Sequence, residues 1–139
     1  MRKILFFSLL GSLTCGQNKK IDSLLNLYEK DPKKIEVLRQ LSFEFENSNP
    51  EKSIYFSKLA LNVSKNQKNN LEIYTSYRDL GGTYFMANKL DSAIIFLNKS
   101  IENSLISNEF KVRVLVDVAN VYTQTRETIK TKEFVDKAL

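Results

Sequence analysis

Histidine is absent from the chain and cysteine occurs once, at Cys15. That alone excludes zinc centres built on Cys and His, Cys–His nucleophiles and any intramolecular disulfide. Glycine and proline are almost as scarce, with 4 and 2 copies in 139 residues. So few turn-formers cannot punctuate an all-β sandwich; they favour long uninterrupted helices. No long acidic or basic tract occurs, and 42% hydrophobic with 27% charged residues is the balance of an ordinary folding domain, with room for one core. Lysine and arginine are spread among acids instead of gathered in one patch, so the formal charge of +5 reads as a solvated surface and not as a nucleic-acid footprint.

The N-terminus has a different character. Arg2-Lys3 precedes the apolar run from Ile4 to Leu13, and small or polar residues follow, which is the three-part pattern of a secretory signal peptide. A run of about ten residues falls short of the ~20 that span a bilayer core. Ten residues apolar on every face also do not suit an amphipathic first helix with one wet side. Two processing routes stay open. One is ordinary cleavage after Gly16, leaving Gln17 first. The other is lipoprotein processing that makes Cys15 the lipidated first residue, for which Thr14 is bulkier than the usual preceding residue. Loss of Arg2 and Lys3 lowers the formal charge to +3.

From Gln17 onward apolar residues recur at three- and four-residue spacing, the helical period. A helix over about 19–30 turns Ile21, Leu24, Leu25 and Leu27-Tyr28 inward and ends at Asp31-Pro32. The next, about 34–46, carries Ile35, Leu38, Leu41, Phe43 and Phe45. Asn47-Ser48-Asn49-Pro50 closes it, and Ser48 or Asn49 can cap the third helix, which runs to about 65. Further helices fall at about 71–86, 90–104 and 110–125, and a seventh begins near 127 and is still helical in pattern at Leu139.

The pattern repeats. Phe96-Leu97-Asn98-Lys99-Ser100-Ile101 matches Phe134-Val135-Asp136-Lys137-Ala138-Leu139, and Phe56-Ser57-Lys58-Leu59-Ala60-Leu61 is a looser copy; Tyr84, Tyr122 and Phe45 stand upstream at nearly constant distance. In the middle copy Tyr77, Leu80, Gly81, Tyr84, Leu90, Ala93, Leu97 and Ser100 resemble the large and small positions of the tetratricopeptide repeat (TPR), a helix–turn–helix unit of about 34 residues. The last copy keeps Leu115, Val118, Ala119, Tyr122, Val135 and Ala138 but has Thr131 where alanine is usual. The first keeps Leu38, Leu41, Phe45, Ser53 and Ala60. The resemblance implies an all-α, TPR-like α-solenoid of about three antiparallel helix pairs after one leading helix, with 1–16 as signal peptide and 17–139 as the repeat domain. A solenoid needs a polar capping helix over its last apolar face, so the array reads as cut at its C-terminal end. Leader, first helix, Asn-Ser-Asn-Pro joint and stacked repeats together resemble the exported sensor half of membrane signalling proteins of Bacteroidetes-type bacteria, in which a transmembrane helix and a kinase or DNA-binding output follow.

In that family the first helix of each pair lines a concave peptide-binding groove. Carried over, the groove presents Glu36, Arg39, Phe43 and Glu46; Thr75, Arg78, Gly82 and Phe85; and Arg113, Val116, Asn120 and Thr123. Arg39, Arg78 and Arg113 with Asn120 could hold a carboxylate or acidic segment while Phe43 and Phe85 hold apolar side chains; the alternative is three ordinary solvated arginines. Gly82 either admits a ligand backbone or simply loosens its helix. The tyrosines and phenylalanines at helical spacing read as core. Glu44 with Glu46, or Glu127 with Glu133, could be imagined as an acid/base pair, but no polar partner or cofactor motif accompanies them. The expected function is therefore a non-catalytic interaction module without cofactor or metal, exported to the periplasm or envelope, binding a protein or peptide and no nucleic acid. Membrane association would come only through lipid on Cys15 or a further C-terminal segment, and a free-standing lipoprotein that helps assemble an envelope complex is the second reading.

Overall fold

A computed structural model describes residues 4–102, 107–125 and 128–138. Seven helices follow one another among these residues: α1 (Ile4–Lys30), α2 (Ile35–Phe45), α3 (Pro50–Asn66), α4 (Asn70–Met86), α5 (Leu90–Ser100), α6 (Asn108–Gln124) and α7 (Thr128–Ala138). Each packs on the next in the chain, and the even-numbered α2, α4 and α6 also touch in sequence, so they line one side of a stack of helix pairs.

The joints explain the boundaries. Lys33 N–H donates to Asp31 Oδ1 at 3.1 Å, an Asx turn that stops α1 ahead of Pro32. Asn49 accepts from Lys52 N–H at 3.0 Å, with Pro50 in the first turn of α3. Asn69 and Ser107 cap α4 and α6 in the same way. After α3 and after α4 the chain closes identically: Lys68 and Asn88 take left-handed φ of 54° and 56°, and the following N–H reaches back five residues, Asn69 to Ser64 O and Lys89 to Tyr84 O. α5 ends at Ser100, four residues before the expected stop. Ser100 Oγ donates to Leu97 O at 2.6 Å and Ile101 N–H to Asn98 O, a tighter closing turn that ends the helical ladder; residues 103–106 lie outside those described.

The core follows the repeat. In each helix pair a stacked aromatic couple sits at the equivalent place: Phe45 on Phe56, Tyr84 on Phe96 and Tyr122 on Phe134, with ring centroids 5.8, 5.3 and 5.4 Å apart. Leu38 and Leu41 of the first pair, and Leu80, Ala93 and Leu97 of the second, are fully buried. Gly81 is small for a direct reason: a methyl group there would stand 2.7 Å from Leu97 Cγ and 3.1 Å from Leu97 N. One residue expected inside faces out, Leu27, because α1 buries one stripe, through Leu24.

Among the described side chains of α1, Ile21, Leu24, Leu25 and Tyr28 join the core cluster of α2 and α3, and Lys20 Nζ pairs with Glu44 Oε1 at 2.5 Å. Gly16 is exposed with open space around it. Among the described residues no helix is long and apolar enough to cross a membrane.

Candidate functional site

α2, α4 and α6 enclose an open cavity of about 570 Å³. Helical spacing sets its walls, since residues three and four apart share a face. Arg39, Phe43 and Glu46 come from α2, Arg78, Gly82 and Phe85 from α4, and Asp117 with Asn120 from α6. Phe43 is the most exposed large apolar side chain among them, at 67%.

The floor is made of hydroxyls. Ser42 Oγ donates to Ser53 O at 3.0 Å and lies 2.6 Å from Ser57 Oγ, which lies 2.9 Å from Thr83 Oγ1. Thr83 Oγ1 in turn donates to Asp79 O, one turn back in α4, at 3.0 Å. Ser42, Ser57 and Thr83 are buried and mutually satisfied, so this polar seam tethers α2, α3 and α4 without leaving an orphaned group.

Both groove arginines have partners across the helix stack. Arg39 on α2 reaches two carboxylates of α4, with Nη2 2.8 Å from Glu72 Oε2 and Nε 2.8 Å from Asp79 Oδ2. Arg78 on α4 donates from Nε to Asp117 Oδ2 on α6 at 2.7 Å. The second pair is the first moved along by one repeat: Arg39 and Arg78 occupy equivalent positions, as do Asp79 and Asp117. The Arg39 pairs are close but poorly aligned, since Arg39 Nε and Nη2 and Glu72 Oε2 are buried without a well-directed hydrogen bond.

Two carboxyl groups of the groove are perturbed. Burial pushes Asp79 above its ordinary range, opposed first by the Arg39 charge and hydrogen bond and then by Arg78. Burial also raises Glu46, which has no cation beside it among the described residues.

Arg113, Val116, Thr123, Thr75 and Glu36 do not reach the cavity. Arg113 is half exposed and pairs with Glu109 one turn back on its own helix, and Glu36 accepts from Gln40 Nε2. The reason is register: Arg113 is the repeat-equivalent of Thr75, one turn from the level of Arg39 and Arg78. The polar lining residues that sequence reasoning did not place in the groove are Asp79, Asp117, Ser42, Ser57 and Thr83. Asp79 and Asp117 carried a signal, the same acid recurring one repeat apart on the face that bears the arginines.

Gly82 has nothing within 4 Å of where a methyl group would stand, unlike its neighbour Gly81. Gly82→Ala should therefore stabilise the fold by about 0.5–1 kcal/mol through helix propensity and a less flexible unfolded chain. Chemical denaturation checks the sign, and a loss of stability would mean that the α4 wall is more crowded than described.

No protein-family model matches the chain, and no curated protein does. Solved structures do. A crystal structure of MamA superposes with a TM-score of 0.66 over 91% of this chain and 69% of its own, at 19% identity. BtubC (BKLC) from P. vanneervenii superposes with a TM-score of 0.72 over 88% of this chain and 55% of its own, at 14% identity. A second MamA structure gives 0.65 over 91% and 64%, at 19% identity. This chain thus spans between about half and about two thirds of the length of the proteins it resembles. Helices joined in antiparallel pairs, an aromatic couple repeated in each pair and these likenesses agree on one architecture: the chain is an all-α, TPR-like α-solenoid.

Proposed function

We propose that the chain is a non-catalytic protein-interaction module that receives an extended segment of a partner protein in the groove between α2, α4 and α6. The observation that carries this reading is the groove itself: a cavity of about 570 Å³ across three successive repeats, edged by an aromatic side chain left 67% exposed. An exposed ring beside an open cavity of mixed polar and apolar lining is the composition of a docking surface, where a few aromatic anchors carry most of the binding energy. Its polar side chains, apart from Glu46 and Asn120, are engaged with one another, and the chain has no histidine, which suits holding better than chemistry. The test is selection of peptides from a displayed random library on the immobilised protein. Selected peptides should lose about tenfold in affinity for Phe43→Ala, a change of ~1.4 kcal/mol. Peptides that bind Phe43→Ala as tightly as wild type would place recognition elsewhere.

The module works in the cell envelope after export, as the sensing or scaffolding part of a signalling protein. The three-part leader supports export. Cys15 at the end of the apolar run favours a second reading, a lipoprotein held at the membrane. Mass spectrometry of the protein recovered from cells separates the two, since cleavage after Gly16 leaves Gln17 first and lipoprotein processing leaves acylated Cys15. An intact Met1 would contradict both.

A further inference from the structure

We propose that the segment received by this groove is basic, an extended peptide whose lysine or arginine side chain is held by Glu46 and whose apolar neighbours rest on Phe43 and Phe85. The inference rests on the groove being the binding site and adds the chemistry of what fills it.

Three observations favour a cation over a carboxylate. The arginines that would attract an acidic ligand are already neutralised, Arg39 by Glu72 and Asp79 and Arg78 by Asp117. A ligand carboxylate held by either would stand beside the carboxylate that the arginine already pairs, and like charges that close disfavour one another. Counted over the lining, two guanidinium groups face three carboxylates, those of Glu46, Asp79 and Asp117. Electrostatic complementarity therefore calls for a positive occupant.

The second observation is Glu46 itself. It sits at the C-terminal end of α2 and lines the cavity without an ion-pair partner among the described residues, and burial already raises its carboxyl. An ammonium or guanidinium group placed there would supply the missing counter-charge and the donors that the carboxylate can accept.

The floor gives the third. Ser42 and Thr83 each have a backbone carbonyl to donate to, Ser53 O and Asp79 O, and in the Ser42–Ser57 and Ser57–Thr83 contacts either hydroxyl can be the donor. Where Ser42 and Thr83 donate to those carbonyls, their oxygens keep acceptor capacity, which suits a cation. Phe43, with its ring exposed, completes the site for a guanidinium, which stacks on aromatic faces.

The experiment uses two fluorescein-labelled peptide pools with the same randomised apolar positions, one alternating them with Lys and Arg and the other with Glu. Fluorescence anisotropy is read on wild type, Glu46→Gln, Phe43→Ala and Glu36→Gln. Glu36 lies off the cavity, so its variant removes the same charge without touching the site. All three positions are exposed or half-exposed, which keeps the fold intact. The basic pool should bind wild type, weaken about tenfold with Glu46→Gln and with Phe43→Ala, and change less than about twofold with Glu36→Gln. If the acidic pool binds instead and is lost in Phe43→Ala, the basic preference is overturned while the groove stands. Basic-pool binding that is lost in Phe43→Ala but unmoved by Glu46→Gln, or that falls equally in Glu36→Gln, also overturns it. Absence of any Phe43-dependent binding removes the groove as a site, and the inference with it.

Discussion

Leu97→Ala is expected to lower the unfolding free energy by about 2–5 kcal/mol, a large part of the ~5–15 kcal/mol that holds a typical domain together. Leu97 is buried where α5 meets α4, against Gly81 and in one core cluster with Val114, Val118 and Val121 of α6, and truncation leaves a cavity there. Gly81→Ala should also destabilise, by about 1–3 kcal/mol less the ~1 kcal/mol that alanine gains in a helix. Its methyl group would stand 2.7 Å from Leu97 Cγ, so one helix must move or Leu97 must leave its rotamer. The informative measurement is the pair together. In Gly81→Ala/Leu97→Ala the new methyl enters the space that the leucine vacates, and the double variant should be less destabilised than the two singles summed, by about 1–2 kcal/mol. The coupling stays incomplete because Leu97 N, 3.1 Å from the methyl position, is backbone and cannot be trimmed. Urea unfolding followed by helical circular dichroism gives all three values. Strict additivity would mean that α4 and α5 do not meet through these two residues.

Arg39→Met should cost about 1–3 kcal/mol at neutral pH, with the penalty shrinking as the pH is lowered. Methionine keeps the bulk but removes the guanidinium that faces Glu72 and Asp79, leaving two carboxylates of α4 without their counter-charge. The full cost of breaking a buried pair, ~3–5 kcal/mol, is discounted because about a third of each carboxylate side chain stays exposed. The sign with pH follows from Asp79. Burial holds its carboxyl above the ordinary range even with Arg39 and Arg78 nearby, so the folded state binds this proton more tightly than the unfolded chain. Its contribution to stability therefore falls as pH rises through the window between the ordinary and the raised value, and is least favourable above that window. Removing Arg39 raises Asp79 further and widens the window upward. The gap in denaturation midpoint between wild type and Arg39→Met should accordingly narrow from neutral toward acidic pH. A gap that holds constant would show that Arg39 acts through packing alone.

Much of this architecture could be read from the chain because the signals are local. The aromatic couples were visible as Phe45, Tyr84 and Tyr122 at steady distance from Phe56, Phe96 and Phe134, and Asn49 with Pro50 announced a helix start by chemistry that acts within four residues. Phe43 was harder. Spacing alone allows it on the core stripe or the groove, and only the position of α4 beside α2 decides. The ion-pair ladder was the least legible feature, since Arg39 and Asp79 lie on neighbouring repeats and a solvated arginine and a paired one look alike in sequence. Reading the equivalence of Asp79 and Asp117 together with that of Arg39 and Arg78 would have shown it. Arg113 misled for the same reason: a face was assigned to it by helical period, but the stack sets the level along the helix at which the groove opens. The hydroxyl floor joins Ser42, Ser57 and Thr83 from three helices, and no spacing within any one of them marks it.

The measurement closest to the centre of this account is nuclear magnetic resonance mapping of the isotopically labelled protein with a peptide from the library selection. Amide signals should shift along α2, α4 and α6, at Phe43, Glu46, Gly82 and Asn120, while Tyr55 and Ile95, exposed on α3 and α5, stay in place. Shifts gathered on α3 and α5, with the groove residues unmoved, would contradict it.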